Sequence, residues 1–137
     1  MHEPYAYFEH GADVGIVGRG RGVEQAFEHA ATAVFALMTK LEEVRPQQGM
    51  AIEFEEADVE LALVTWLNRL LGEARSRALV FGRFQLRRDG SHWSGAAQGE
   101  PWREDLERGV EVKGATLTAL AVTQQDGIWE ARCVVDV

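Results

Sequence analysis

Two short stretches of this chain carry oxygen ligands where a turn or a strand end would present them. The first is His10-Gly11-Ala12-Asp13, a polar elbow between the apolar runs Tyr5–Phe8 and Val14–Val17. The second is Val134-Val135-Asp136-Val137, a hydrophobic strand pattern that sets an aspartate beside the α-carboxylate of Val137. An aspartate in a turn ordinarily bonds its own backbone, and an acidic strand end is ordinarily solvated. Adjacent anions nevertheless repel each other unless a cation or hydrogen-bond donors offset them. If the sheet brings Asp13 to Asp136, three carboxyl groups converge on one hard cation, calcium or magnesium, which takes oxygen ligands and needs no thiol or imidazole. Spacing alone does not establish that proximity.

The other chemical templates fail. The chain has no nucleophile elbow, no P-loop and no metalloprotease His-Glu-x-x-His. Gly18-Arg19-Gly20-Arg21-Gly22 leads toward a helix and superficially resembles a phosphate cradle, but it lacks the G-x-G-x-x-G spacing and a following lysine. A turn at a helix start is the expected role. Cys133, the only cysteine, lies among Ala131, Val134 and Val135 with no local activator, as a small core or surface residue would. One cysteine excludes an intramolecular disulfide and a Cys-rich zinc site.

The elements that must position these residues follow from periodicity. Val23, Phe27, Ala30, Ala31, Val34 and Met38 recur at helical spacing, predicting a helix from Val23 to about Lys40. Met50–Phe54 alternates as a strand. A second helix is expected from roughly Asp58 to Arg75, with Val59, Leu63, Trp66, Leu67, Leu70 and Leu71 on one wide apolar face and charges that suit the helix dipole. Leu79–Leu86 and Ser91–Ala97 flank Asp89-Gly90, and Thr116–Thr123 and Ile128–Val135 flank Asp126-Gly127, two hairpin signals. The expected fold class is α+β, a two-layer domain with two helices on a mainly antiparallel sheet.

The 137 residues suffice for one domain with a real core. No apolar run reaches the roughly 20 residues of a transmembrane helix, and MHEPYAYFEH lacks the basic and apolar regions of a signal peptide. The expectation is a cytoplasmic protein with no membrane partner. With 14 Lys+Arg against 22 Asp+Glu, the net charge of −8 argues against autonomous binding of DNA or RNA.

Beyond these properties, an ordered set of blocks resembles the archease family. It comprises Tyr7-Phe8-Glu9-His10-Gly11-Ala12-Asp13-Val14-Gly15-Ile16, Val23–Ala31, Val34–Thr39, Trp66-Leu67-Asn68-Arg69-Leu70-Leu71, Gly99-Glu100-Pro101, Gly109–Thr116 and the hydrophobic-Asp-hydrophobic ending. The resemblance spans essentially the whole chain and implies a single archease-like domain over 1–137. It implies a protein cofactor, not an enzyme, that activates an RtcB-type 3′-phosphate/5′-hydroxyl RNA ligase in tRNA splicing or RNA repair. Such a protein promotes guanylylation of the ligase histidine and repeated turnover, touching RNA only through the ligase. The family's metal site maps onto Asp13, Asp136 and Val137, with Ca²⁺ foremost and Mg²⁺ or Mn²⁺ as alternatives. Its functional lysine maps onto Lys113, a residue that in isolation reads as a solvated strand lysine, and His10 is expected to orient Asp13 or cap the turn. Three positions depart from the family pattern: Gly11 for Thr, Gly114 for Ala, and Thr118 where many members carry His. Two alternatives remain open at this level: a chaperone-like modulator of a tRNA-modifying enzyme such as a methyltransferase, and a metal-dependent hydrolase working from Asp13 and Asp136.

Overall fold

The computed structural model describes residues 3–137; Met1 and His2, part of the stretch read against a signal peptide, lie outside the described residues. In chain order the elements are β1 (Tyr5–His10), β2 (Asp13–Gly20), α1 (Val23–Ala36), a short 3-10 turn (Leu41–Glu43), β3 (Gln48–Glu55), α2 (Val59–Arg77), β4 (Leu79–Asp89), β5 (His92–Pro101), β6 (Gly114–Ala115), β7 (Ala121–Gln125) and β8 (Ile128–Asp136). The α+β class holds, with every strand pairing antiparallel. The strands divide between two sheets. One runs β1-β2-β8, with β6 and β7 both pairing the far side of β8, and the other runs β3-β5-β4.

The apolar faces of both helices meet both sheets in one cluster that includes Ile16, Phe27, Phe35, Leu63, Trp66 and Phe81. Trp93 lies between Phe27 and Phe54, stacked at 5.2 and 5.9 Å. The two fully buried indoles need acceptors. Trp66 Nε1 donates to the Phe27 carbonyl at 3.0 Å and Trp93 Nε1 to the Glu56 carbonyl at 3.0 Å. Glu28 ties α1 to the second sheet by accepting from the Leu86 amide at 2.7 Å, and its partial burial raises its pKa.

The glycine-rich run is not the turn the sequence suggested. Gly18, Arg19 and Gly20 continue β2, and only Arg21 and Gly22 turn. The reason is the closeness of α1. A Cβ on Gly18 would fall 2.2 Å from the Ala26 carbonyl oxygen, and one on Gly20 2.7 Å from the Ala26 nitrogen.

Two other boundaries move. Helix α1 stops at Ala36, short of the expected Lys40. The carbonyls of Leu37 and Met38 instead accept from Val110 and Gly109, and the Thr39 hydroxyl donates to the Glu107 carbonyl. Thr116–Leu120 is not strand: Thr116 bonds back to Val134, and Ala119 takes a left-handed φ of 54°.

Candidate functional site

The site lies at one end of the five-stranded sheet. β1 and β2 form a hairpin in which His10 pairs with Asp13, leaving Gly11-Ala12 as a two-residue loop. Gly11 has φ +61°, a conformation glycine adopts without Cβ strain. The Gly at this departure from the family pattern is therefore suited to the turn it makes.

The strand β8 lies beside β2 with Val14 opposite Val135. One step further, that register sets Asp13 opposite Asp136. The backbone amide of Val137 donates to Asp13 Oδ1 at 3.4 Å, a long bond across 124 residues of sequence. Directly opposed residues share a sheet face, so His10, Asp13 and Asp136 lie on one side of the sheet. Asp13 is half-buried and Asp136 exposed.

On the far side of β8, Gly114 pairs with Asp136, and the Lys113 amide donates to the Asp136 carbonyl at 2.8 Å. Lys113 is exposed. Asp13, Asp136 and Lys113 thus come from three adjacent chain segments at one sheet end. Their shared feature is uncompensated charge: among the described residues none of the three has an ion-pair partner within 4.0 Å. The His10 ring makes no side-chain hydrogen bond among the described residues, so its link to Asp13 is the backbone register alone.

Sequence reasoning missed the parts that hold Lys113 in place. Asn68 and Arg75 stand two turns apart on α2. The Asn68 amide donates to the Ala115 carbonyl at 3.2 Å and accepts from the Ala115 amide at 2.8 Å. Arg75 Nη2 donates to the Lys113 carbonyl at 2.9 Å. The spacing of seven was visible, but nothing in it says which strand the pair would meet.

The oxygen donors available here suit a hard cation, yet they are few. Among the described residues no group of three or more His, Cys, Asp or Glu is placed to hold an ion. A cation at Asp13 and Asp136 would therefore need further oxygen ligands beyond these two side chains. Cys133 is fully buried on β8 and its thiol is pushed up to about 12 by that burial, leaving it a core residue without thiolate chemistry. No helix is long and apolar enough to cross a membrane among the described residues.

Known proteins match this arrangement along its length. A Sulfolobus acidocaldarius protein archease is 37% identical over 97% of this chain and 98% of its own. The Methanothermobacter thermautotrophicus protein archease is 32% identical over 96% and 97%. The solution structure of Methanobacterium thermoautotrophicum protein 1598 superposes with a TM-score of 0.88 at 30% identity, over 98% of this chain and 99% of that one. The crystal structure of a Thermotoga maritima archease, described as a possible chaperone, shares the fold with a TM-score of 0.67 at 19% identity, over 100% and 98%. The Archease protein family itself matches residues 5–137, from the first strand through the Asp13, Lys113 and Asp136 positions, and the chain belongs to that family.

Proposed function

We propose that this archease is a protein cofactor that activates an RtcB-type RNA ligase, promoting guanylylation of the ligase and its repeated turnover in tRNA splicing or RNA repair. The observation that carries the reading is the juxtaposition of Asp13, Asp136 and Lys113 at one sheet end of a chain that belongs to the family throughout. In this reading residues 1–137 act as one unit that supplies no covalent step and meets RNA only through the ligase.

A divalent metal ion, Ca²⁺ foremost and Mg²⁺ or Mn²⁺ as alternatives, would be held by Asp13, Asp136 and an oxygen of Val137. Bound there, it supplies positive charge against phosphate oxygens. The all-oxygen donor set and the absence of a nearby cation to neutralise either aspartate support this ligand class. Lys113 offers a second positive charge whose backbone is pinned on both sides, by Asp136 and by Arg75, so that its ammonium is presented from a fixed base. His10 holds the turn that delivers Asp13.

The test follows guanylylation and ligated product over many turnovers, with purified ligase, GTP and Mn²⁺, with and without this protein. Stimulation of both supports the reading, and no stimulation of the cognate ligase refutes it. The description of the Thermotoga maritima relative as a possible chaperone motivates a second reading, a chaperone-like modulator of a tRNA-modifying enzyme such as a methyltransferase. That reading predicts slower aggregation of the client enzyme and no effect on ligase guanylylation.

A further inference from the structure

Next to the strand that carries Lys113, where α2 ends and the 102–112 segment passes, a cavity of about 490 Å³ opens to the surface. The size falls in the roughly 300–1,000 Å³ range of small-molecule sites. Met38, Leu71, Leu79 and Val112 give it an apolar floor, and Trp102, Arg75 and Arg108 supply a different chemistry at its walls. The Arg108 guanidinium lies over the Trp102 ring at 3.9 Å from the centroid, a cation–π contact that sets it against an aromatic surface. Arg75 commits one donor to the Lys113 carbonyl and keeps the others.

Two arginines converge on this one cavity. This chain carries 22 acidic residues against 14 basic ones. Yet among the described residues neither Arg75 nor Arg108 has a carboxylate within 4.0 Å. Three arginines are paired, Arg19 with Glu130, Arg77 with Glu73 and Arg103 with Glu100 and Asp105, and none of these lines the cavity. Two uncompensated guanidiniums beside one apolar cavity leave room for an anion that brings an apolar or planar body with it.

We infer that this cavity binds a nucleotide, with the base stacked on the free face of the Arg108–Trp102 pair and the phosphate taken by Arg75 and Arg108. A phosphate, doubly charged and with three oxygens, uses two guanidinium forks, whereas a single carboxylate is satisfied by one. A planar base uses the stacking surface that an aliphatic acid would leave idle. Glu111, which also lines the cavity, accepts from an exocyclic amino group of the base. The site is separate from the Asp13–Asp136 end, and its test needs no ligase, so its outcome leaves the ligase reading untouched.

Isothermal titration of the full chain at low salt with GMP, AMP, guanosine and inorganic phosphate tests it. Either nucleotide saturates with a Kd at or below about 1 mM, and the nucleoside and the free phosphate each bind at least about tenfold more weakly. Arg108→Gln, an exposed change that leaves the core alone, lowers nucleotide affinity about tenfold or more. On adding nucleotide, amide resonances of Gly109–Val112 shift while those of Ala12–Val14 do not. No saturation up to about 5 mM, an Arg108→Gln protein that binds like the parent, or phosphate alone binding as well as the nucleotides would each overturn the inference. So would saturable binding of a glutamate-rich peptide with none of a nucleotide, which would make the cavity a protein-docking site.

Discussion

The Asn68 side chain serves as a strand edge for Ala115: one amide group gives and takes both backbone hydrogen bonds, at 3.2 and 2.8 Å. The segment that follows Lys113 is only two residues of strand, paired to β8 on one side. Its other side would be bare without this helix residue. Asn68→Ala removes both bonds and should cost about 1–2 kcal/mol in urea unfolding, at roughly 0.5–1.5 kcal/mol net per bond. Hydrogen exchange should show the Ala115 amide losing protection before the rest of the sheet. Ligase stimulation should fall with it, because the Lys113 backbone loses its seat.

Lys113 contributes to the fold through its main chain alone, donating to Asp136 and accepting from Arg75. Lys113→Ala should therefore unfold within about 0.5 kcal/mol of the parent and abolish or severely reduce ligase stimulation. Lys113→Arg should recover part of it. An alanine variant that stimulates normally at limiting protein would remove the lysine from the site.

Asp13→Asn and Asp136→Asn separate ligand from scaffold. Each keeps an acceptor oxygen but removes a charge, so each should weaken Ca²⁺ and Mg²⁺ binding in calorimetry while changing stability little. If both variants bind metal as the parent does, neither carboxylate is a ligand, and Asp13 serves the sheet end by accepting from Val137.

The close approach of α1 to β2 predicts an asymmetry within one glycine run. Gly18→Ala places a methyl against the backbone of Ala26 and Ala30, at 2.2 and 2.3 Å, and neither helix atom has anywhere to go. It should cost more than about 3 kcal/mol or abolish folding. Gly22→Ala meets nothing nearer than a Glu24 carboxyl oxygen at 3.6 Å and should cost under about 1 kcal/mol. Thermal unfolding of the two variants side by side checks it.

At the tip of the second sheet, His92 is clasped by two carboxylates, Nδ1 to Glu55 at 2.6 Å and Nε2 to Glu53 at 3.0 Å. Glu55 first and Glu53 second hold its pKa above the usual 6.5, while Glu55 is held below 4.5 mainly by His92. Stabilisation from a raised histidine pKa is fully present below the unfolded value and is lost as pH rises through the folded one. The carboxylate's share is lost as pH falls through its own lowered pKa. Unfolding of the parent and of His92→Gln should therefore differ most between the ordinary carboxylate and histidine values, and converge as pH rises through the raised His92 pKa. A proton NMR titration of the His92 ring should give a midpoint above 6.5.

What the sequence made legible was whatever chemistry is local. Asp126-Gly127 is the hairpin loop expected, both residues at positive φ, whereas the other hairpin turns one residue later than expected, at Gly90-Ser91, with Gly90 at positive φ and Asp89 still paired to His92 in the strand. Asp58 caps α2 through the amides of Glu60 and Leu61. What it hid was settled by partners far along the chain. The end of α1 depends on carbonyls captured by Gly109 and Val110, with no local stop residue. Gly18 and Gly20 read as a turn because nothing in their own neighbourhood announces the helix that presses on them. Thr116–Thr123 alternates like a strand, yet its first half folds back onto Val134 and pairing begins only at Ala121. The nearness of Asp13 and Asp136 belongs to the same hidden class, since it exists only through the β2–β8 register.

That register fixes the order in which the molecule can come into being. β2 is synthesised well before its partner β8, so until β8 emerges the Asp13 strand has one hydrogen-bonding edge with no mate. The second sheet and α2 lie wholly between them and can collapse earlier, but closing the long loop to β8 has to wait. A chain that stalls or is clipped before Ile128 has no surface on which Asp13 and Lys113 meet. The site thereby reports that β8 has been made: only a molecule translated through that strand can present it to a partner.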